Sequence, residues 1–260
     1  MRRIAILSSC LMLACLTGAR AQDSAFDIIV LGEMHDNPDH HQVQAAWVSD
    51  YPPTALVFEM LFPAQAANAA GISRSDMQAL DSALGWTESG WPAFDMYFPI
   101  FAAAPEVPLF GAALPREDVM RAAAEGAAKV FGAQAVQYGL VPLPADEQAV
   151  REAEQMANHC DALPVDAMPG MVEAQRLRDA HFAKVALEAF DMHGGPVVVI
   201  TGNEHARNDR GIPNAIALAR PELRVFSVGQ FEAEPEDAQP FDGYFIAAPV
   251  ARGDPCEAFR

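Results

Sequence analysis

Six short apolar runs stand out along the chain: FDIIVL at 26–31, TALVF at 54–58, VPLFGA at 107–112, PVVVI at 196–200, RVFSV at 224–228 and YFI at 244–246. Each is the length of a strand. The interior runs show no polar alternation, as expected when helices cover both faces of a sheet. VPLFGA is the weakest of the set, and Pro196 stands at a first position, where a strand tolerates it. After the first run, Asn37 and Pro38 read as the N-cap and first residue of a helix. Val43, Ala46 and Trp47 form its apolar stripe, and it stops near Tyr51-Pro52-Pro53. This strand, helix, strand unit predicts a parallel pair with a right-handed crossover.

No strand is expected between Leu114 and Gly195. Residues 117–131, 146–159 and 171–193 read as helices, and 63–104 is mostly helical and rich in aromatics. The fold class predicted is α/β: a mainly parallel central sheet with helices on both faces and a large helical insertion. The helical additions fall at about 63–104 and 115–193 of a single domain spanning 22–260. The acidic loop 232–240 reads as solvated surface.

The first residues change the picture. Arg2 and Arg3 precede a short apolar core, and Ala19-Arg20-Ala21 forms an A-x-A site. Residues 1–21 therefore read as a secretory signal peptide, too short for a transmembrane helix. The rival reading is a lipoprotein anchored through Cys15, but Met12-Leu13-Ala14 fits a lipobox poorly, so cleavage after Ala21 is preferred. Either way a periplasmic or otherwise exported protein is expected. Cleavage removes three arginines, taking the net charge from −18 to −21. Such acidity argues against nucleic-acid partners, which need basic surface. Cys160 and Cys256 remain after cleavage, and in an oxidising compartment two cysteines tend to pair. Two buried free thiols are the alternative.

Candidate chemistry collects at strand ends, where open α/β sheets bind ligands. The first run delivers Gly32-Glu33-Met34-His35, the second Glu59, and the fourth Gly202-Asn203-Glu204-His205 followed by Arg207 and Asp209. Glu and His suit a metal or an acid–base site. Each residue alone has a plainer role: Glu33 as a cap or surface carboxylate, His35 as a core histidine, Glu59 beside an arginine, Arg207 paired with Asp209. Together, Glu33, His35 and His205 are expected to share a pocket. Of His40 and His41, about 100° apart on a helix, at most one is expected to face that pocket, and the other to be solvated. The stretch WPAFDMYFPIF at 91–101 reads first as core; the other reading is a wall for a flat cofactor, with Tyr97 or Met96 as an iron ligand. His181, near Lys184 and Glu188, is expected at the surface. No P-loop, GxSxG, HExxH or CxxC motif occurs.

GEMHDNPDHH, then FEM, then TGNEHARNDRGIP resembles the ChaN-like haem-binding uptake family. Its superfamily also holds the Tiki metalloproteases and erythromycin esterases. WPAFDMYFPIF, HCDALP, MPGMVEAQRLRDAHFAK and the terminal DPC extend the resemblance over the mature chain. Glu204 departs from it, standing where a small Gly is usual; it either turns outward or orients His205.

The resemblance implies export and a part in haem or iron uptake, with the outer-membrane uptake machinery as a partner. It also implies a homodimer with stacked haems. Cofactor-binding candidates are His35, His41, Tyr97 and His205, with Arg116, Arg121, Arg176, Arg178 or Arg207 for propionates. The alternative is a hydrolase, with Glu33, His35, Glu59, His205 and Arg207 as catalytic candidates. Glu33, His35 and His205 would then hold a divalent metal such as Zn or Mn.

Overall fold

The computed structural model of the protein describes residues 25–254 and 256–257. The leader expected at 1–21, with Cys15, lies outside the described residues. Strand β1 (Ile28–Leu31) leads through α1 (Pro38–Asp50) to β2 (Ala55–Phe58). Helices α2 (Pro63–Asn68), α3 (Met77–Leu84) and α4 (Phe94–Ala103) precede the short β3 (Leu109–Gly111). Next come α5 (Arg116–Glu125), α6 (Ala127–Phe131), α7 (Ala145–Asn158) and α8 (Met168–His193). After β4 (Val197–Ile200) follow α9 (Asn203–Ala206), α10 (Ile212–Ala219), β5 (Val225–Phe231) and β6 (Gly243–Ile246).

The strands form one sheet in the order β3-β2-β4-β1-β5-β6, and every neighbouring pair is parallel. The fold is α/β. One local expectation is corrected. β1 and β2 lie parallel in the same sheet but do not pair, because β4 sits between them. β4 is the all-aliphatic VVVI, buried throughout, and takes the central position that best hides it. From β1 the chain leaves past β4 towards β2; from β4 it leaves past β1 towards β5. Adjacent strands whose connections run in opposite directions open a crevice at their carboxyl ends.

Alternation along each strand sends residues to two cores. Ile28, Val30, Val57, Val197 and Val199 pack with Ala122, Leu177, Ala183 and Ile216, from α5, α8 and α10. Ile29, Leu31, Phe58, Val198 and Ile200 pack on the other face with Val48, Leu80, Tyr97 and Phe101, from α1, α3 and α4. The long helical stretch between β3 and β4 thus supplies one covering layer. Its first predicted helix is two, broken at Gly126, whose φ of +94° lies in the left-handed region. β6 is an edge strand, with Tyr244, Phe245 and Ile246 each almost half exposed.

Asn37 caps α1 as expected, accepting from the Asp39 N–H at 3.0 Å with Pro38 at the first position. Its amide also donates to Glu232 Oε1 (2.7 Å) and to the Ala248 carbonyl (3.0 Å), so α1 begins against the C-terminal tail. Arg252 joins Asp36 and Glu232 there. Glu232 is therefore not part of a merely solvated loop. Cys160 and Cys256 form a disulfide with Cα atoms 5.6 Å apart, which secures the tail beyond that crossing. Among the described residues no helix is long and apolar enough to cross a membrane.

Candidate functional site

β1 ends in Gly32, where a Cβ would lie 2.5 Å from Asn203 Oδ1 and 2.9 Å from the Val228 carbonyl; only glycine lets these strand ends close up. Glu33 comes next and is buried. Its Oε1 accepts from the Tyr97 hydroxyl (2.6 Å) and from His35 Nδ1 (2.6 Å), and its Oε2 accepts from Gln44 Nε2 (2.7 Å). His41 Nδ1 lies 3.3 Å from the same Oε2. Burial alone would push the Glu33 carboxyl up, but the hydrogen bonds and charges of His35 and His41 outweigh it and hold it down at about 2.

The network fixes a charge state. Gln44 Nε2 faces the Leu31 and Gly32 carbonyls as well as Glu33, so this end of the amide is the NH2, and Oε1 turns to His41 Nδ1 at 3.2 Å. His41 Nε2 lies 3.0 Å from the His35 carbonyl, which can only accept. Both ring nitrogens of His41 therefore face acceptors, which is the setting of an imidazolium. Burial lowers its pKa, and Glu33 more than restores it, for a net rise. The Tyr97 ring lies tilted against the His41 ring, centroids 3.9 Å apart; burial first, then Glu33, push its phenol well above the usual range.

A second histidine is oriented the same way across the crevice. His205, just after β4, places Nδ1 2.6 Å from Asp179 Oδ1 on α8. Gln175 Nε2 is 3.0 Å from that nitrogen, but a nitrogen carrying one hydrogen gives it to the shorter, charged contact. Nε2 then points towards Glu59 Oε1, 3.6 Å away. Glu59 is fixed through Oε2, which accepts from Thr201 Oγ1 (2.6 Å) and the Gly202 N–H (2.8 Å). Burial raises the Glu59 carboxyl, and His205 and His35 bring it down below the usual value. Burial lowers His205, and Glu59 and Asp179 lift it above its usual value, while burial keeps Asp179 raised.

Glu59 and His205 lie in a cleft of about 790 Å³. Met60, Phe62, Trp91, Leu114 and Phe182 give it apolar walls, and Arg178 supplies a cation. The His35 ring, 33% exposed, rests on Trp91 at 4.8 Å between centroids.

Residues 21–216 match the family model described as haem-binding uptake, Tiki superfamily, ChaN. The chain belongs to this family. The solved structure of ChaN from Campylobacter jejuni, described as showing cofacial haem binding, shares the fold. Its TM-score is 0.60 at 19% identity, over 81% of this chain and 84% of that one. The type III effector HopBA1 covers 86% of this chain and 88% of its own, at 13% identity and a TM-score of 0.44. No curated protein matches the sequence.

Within this ChaN-family fold, the structure brings Glu33, His35, Glu59 and His205 to one end of the sheet. Other expected site residues sit elsewhere. Tyr97 and His41 are fully buried and committed to Glu33, so neither presents an atom to a cleft ligand. Arg207 pairs with Asp209 through two bonds of 3.0 and 2.7 Å and does not line the cleft. Among the propionate candidates, Arg176 is buried against Glu173 and the Gly139 carbonyl, Arg121 pairs with Asp118, and Arg178 alone lines the cleft. The metal set Glu33, His35, His205 does not assemble, because both Glu33 oxygens are already bonded beneath His35. Among the described residues no group of three or more His, Cys, Asp and Glu is placed to hold a metal.

His40 is buried too: its Nδ1 accepts from the Met34 N–H at 2.9 Å, so neither helix histidine is solvated. His181 is half-buried, and burial with Lys184 beside it holds its pKa down at about 4. Glu204 turns outward to Arg210, and the partner that orients His205 is Asp179. Sequence reasoning missed Asp179, although a signal existed. Val172, Arg176, Asp179, Ala183 and Ala186 make one buried stripe of α8, and a carboxylate on such a stripe needs a partner.

Proposed function

We propose that the protein binds haem in the strand-end cleft and acts, once exported, in haem or iron uptake. The observation that carries this reading is the match of residues 21–216 to the haem-binding uptake family. The cleft fits a flat, amphipathic dianion: aromatic and aliphatic walls for the macrocycle, Arg178 for a propionate, and imidazoles nearby. His35 and His205 are the candidate nitrogen donors. Glu33 and Asp179 each accept the Nδ1 hydrogen, which makes Nε2 the donor atom of each ring and the imidazole more basic; at His205 that nitrogen would exchange its contact with Glu59 Oε1 (3.6 Å) for iron. Haem here is cargo, and the protein's part is to hold and release it.

Titrating haem into the apo-protein tests the reading. A saturable Soret shift at micromolar haem is expected, weakened in His205→Ala or His35→Ala. No saturable shift would overturn it. Export is part of the proposal, with release of Gln22 as the new N-terminus, which mass spectrometry of the exported chain would show; a diacylated Cys15 would refute that cleavage site and leave export standing. A haem-linked homodimer and delivery to or from outer-membrane uptake machinery belong to the same proposal.

The hydrolase reading keeps one favourable observation, the Asp179–His205 pair facing Glu59. Its metal-dependent form has no assembled ligand set among the described residues.

A further inference from the structure

The turn between α2 and α3 reverses the usual placement of charge. Gly71, Ser73, Ser75 and Asp76 are exposed, yet Arg74 among them is only 7% exposed. Its Nε and Nη1 are buried without a hydrogen-bond partner among the described residues. No ion pair among the described residues reaches it either, in a chain with 35 Asp and Glu against 17 Lys and Arg. Among the described residues Glu106, on the facing segment, is the charge that acts on it, and Glu106 is itself exposed. Asp76, the nearest carboxylate in sequence, is spent on capping α3 through the Ala79 N–H.

Arg74 borders a cavity of about 480 Å³ between residues 70–75 and 105–108. This lies at the amino end of β3, whereas the cleft of Glu59 and His205 lies beyond the carboxyl ends of the strands, and the two share no lining residue. Ser73 and Ser75 are on the same rim with their hydroxyls 2.8 Å apart. That contact uses one hydroxyl hydrogen and leaves the other to donate elsewhere.

A buried guanidinium with no partner is costly. Its charge is delocalised over the planar group, so an anion docking against Arg74 from the cavity neutralises all of it. We propose that this cavity is a small-oxyanion site, in which Arg74 pairs with a carboxylate or a phosphate group assisted by a serine hydroxyl. Burial pushes the Arg74 pKa down from its usual value, the direction a missing counter-charge produces. The site is independent of haem binding.

Thermal melting of the mature chain tests it, in sodium phosphate and, separately, sodium acetate, each against sodium chloride of equal ionic strength. Wild type should gain Tm saturably with at least one oxyanion and not with chloride. Phosphate alone would mark a tetrahedral site, acetate alone a carboxylate site, and both a site that reads charge. Arg74→Leu, which removes the unpaired charge, should melt above wild type in chloride and respond to the oxyanion at least tenfold more weakly. Glu106→Gln should respond at least as strongly as wild type. Equal responses to chloride and both oxyanions would overturn the proposal. So would a response retained in Arg74→Leu, or Arg74→Leu melting below wild type in chloride, since the guanidinium would then be satisfied internally. A response seen only in Glu106→Gln would overturn it for the same reason.

Discussion

Both carboxylate oxygens of Glu33 are bonded, and the group sits against one imidazolium and a second raised histidine. Glu33→Gln should cost about 3–5 kcal/mol, because it leaves a buried cation unpaired; urea denaturation would measure it. Tyr97→Phe removes one neutral donor of several and should cost less, about 1–2 kcal/mol. The pH dependence follows from the signs. The Glu33 carboxyl is lowered from 4.5 to about 2, so its contribution is present above 4.5 and lost as pH falls towards 2. His35 and His41 are raised from 6.5, so theirs is present below 6.5 and lost as pH rises through their higher folded values. Stability differences between wild type and Glu33→Gln should therefore narrow at both extremes, and nitrogen NMR of His41 should show a charged ring at pH 6.5. That Glu33, His35 and His205 come to one end of the sheet was legible, because each follows the carboxyl end of a strand. The fates of His40 and His41 were not. What covers them comes from far along the chain: Tyr97 lies over His41, and Gln230 on β5 bonds the His40 carbonyl.

At the scale of elements, helix starts and strand cores were readable and neighbours were not. Asn37-Pro38 fixed the start of α1 locally. The insertion of β4 between β1 and β2 depends on which strand gains most from a central place, a comparison no single window contains. Asp179 illustrates the same limit: its stripe on α8 was visible, but its partner His205 belongs to the turn after another strand. Close approach between elements can be tested at Gly111. A Cβ there would lie 2.4 Å from the Phe62 carbonyl carbon and oxygen, where β3 ends beneath the start of α2. Gly111→Ala should lose about 1–3 kcal/mol by overpacking, read as a lower melting temperature. Gly202→Ala is gentler for the backbone, with a Cβ 3.0 Å from His35 Nε2. It should disturb the haem spectrum more than the melting temperature, since it displaces a candidate donor atom.

For the whole molecule, the fold class and the pairing of Cys160 with Cys256 could be anticipated, but the course of the tail could not. Arg252, Asp36 and Glu232 meet only because residues 247–252 run back across the start of α1. Reducing the disulfide, which closes a loop of 96 residues, should lower stability by about 4–5 kcal/mol on the chain-entropy account. Denaturant titration with and without reductant checks this. The strand order carries a further consequence, in time. β1 pairs with β4 and β5, whose facing residues Val197 and Val225 lie 169 and 197 positions beyond Ile28 (197 − 28 and 225 − 28). An emerging chain therefore holds its first strand without a neighbour until most of its length is available. Contacts this distant slow folding. Fragments ending before residue 197 should stay protease-sensitive, and the intact chain should acquire protection in β1, β4 and β5 together in pulsed hydrogen exchange. The centre of the sheet in such a chain cannot be completed until nearly all of it has been made.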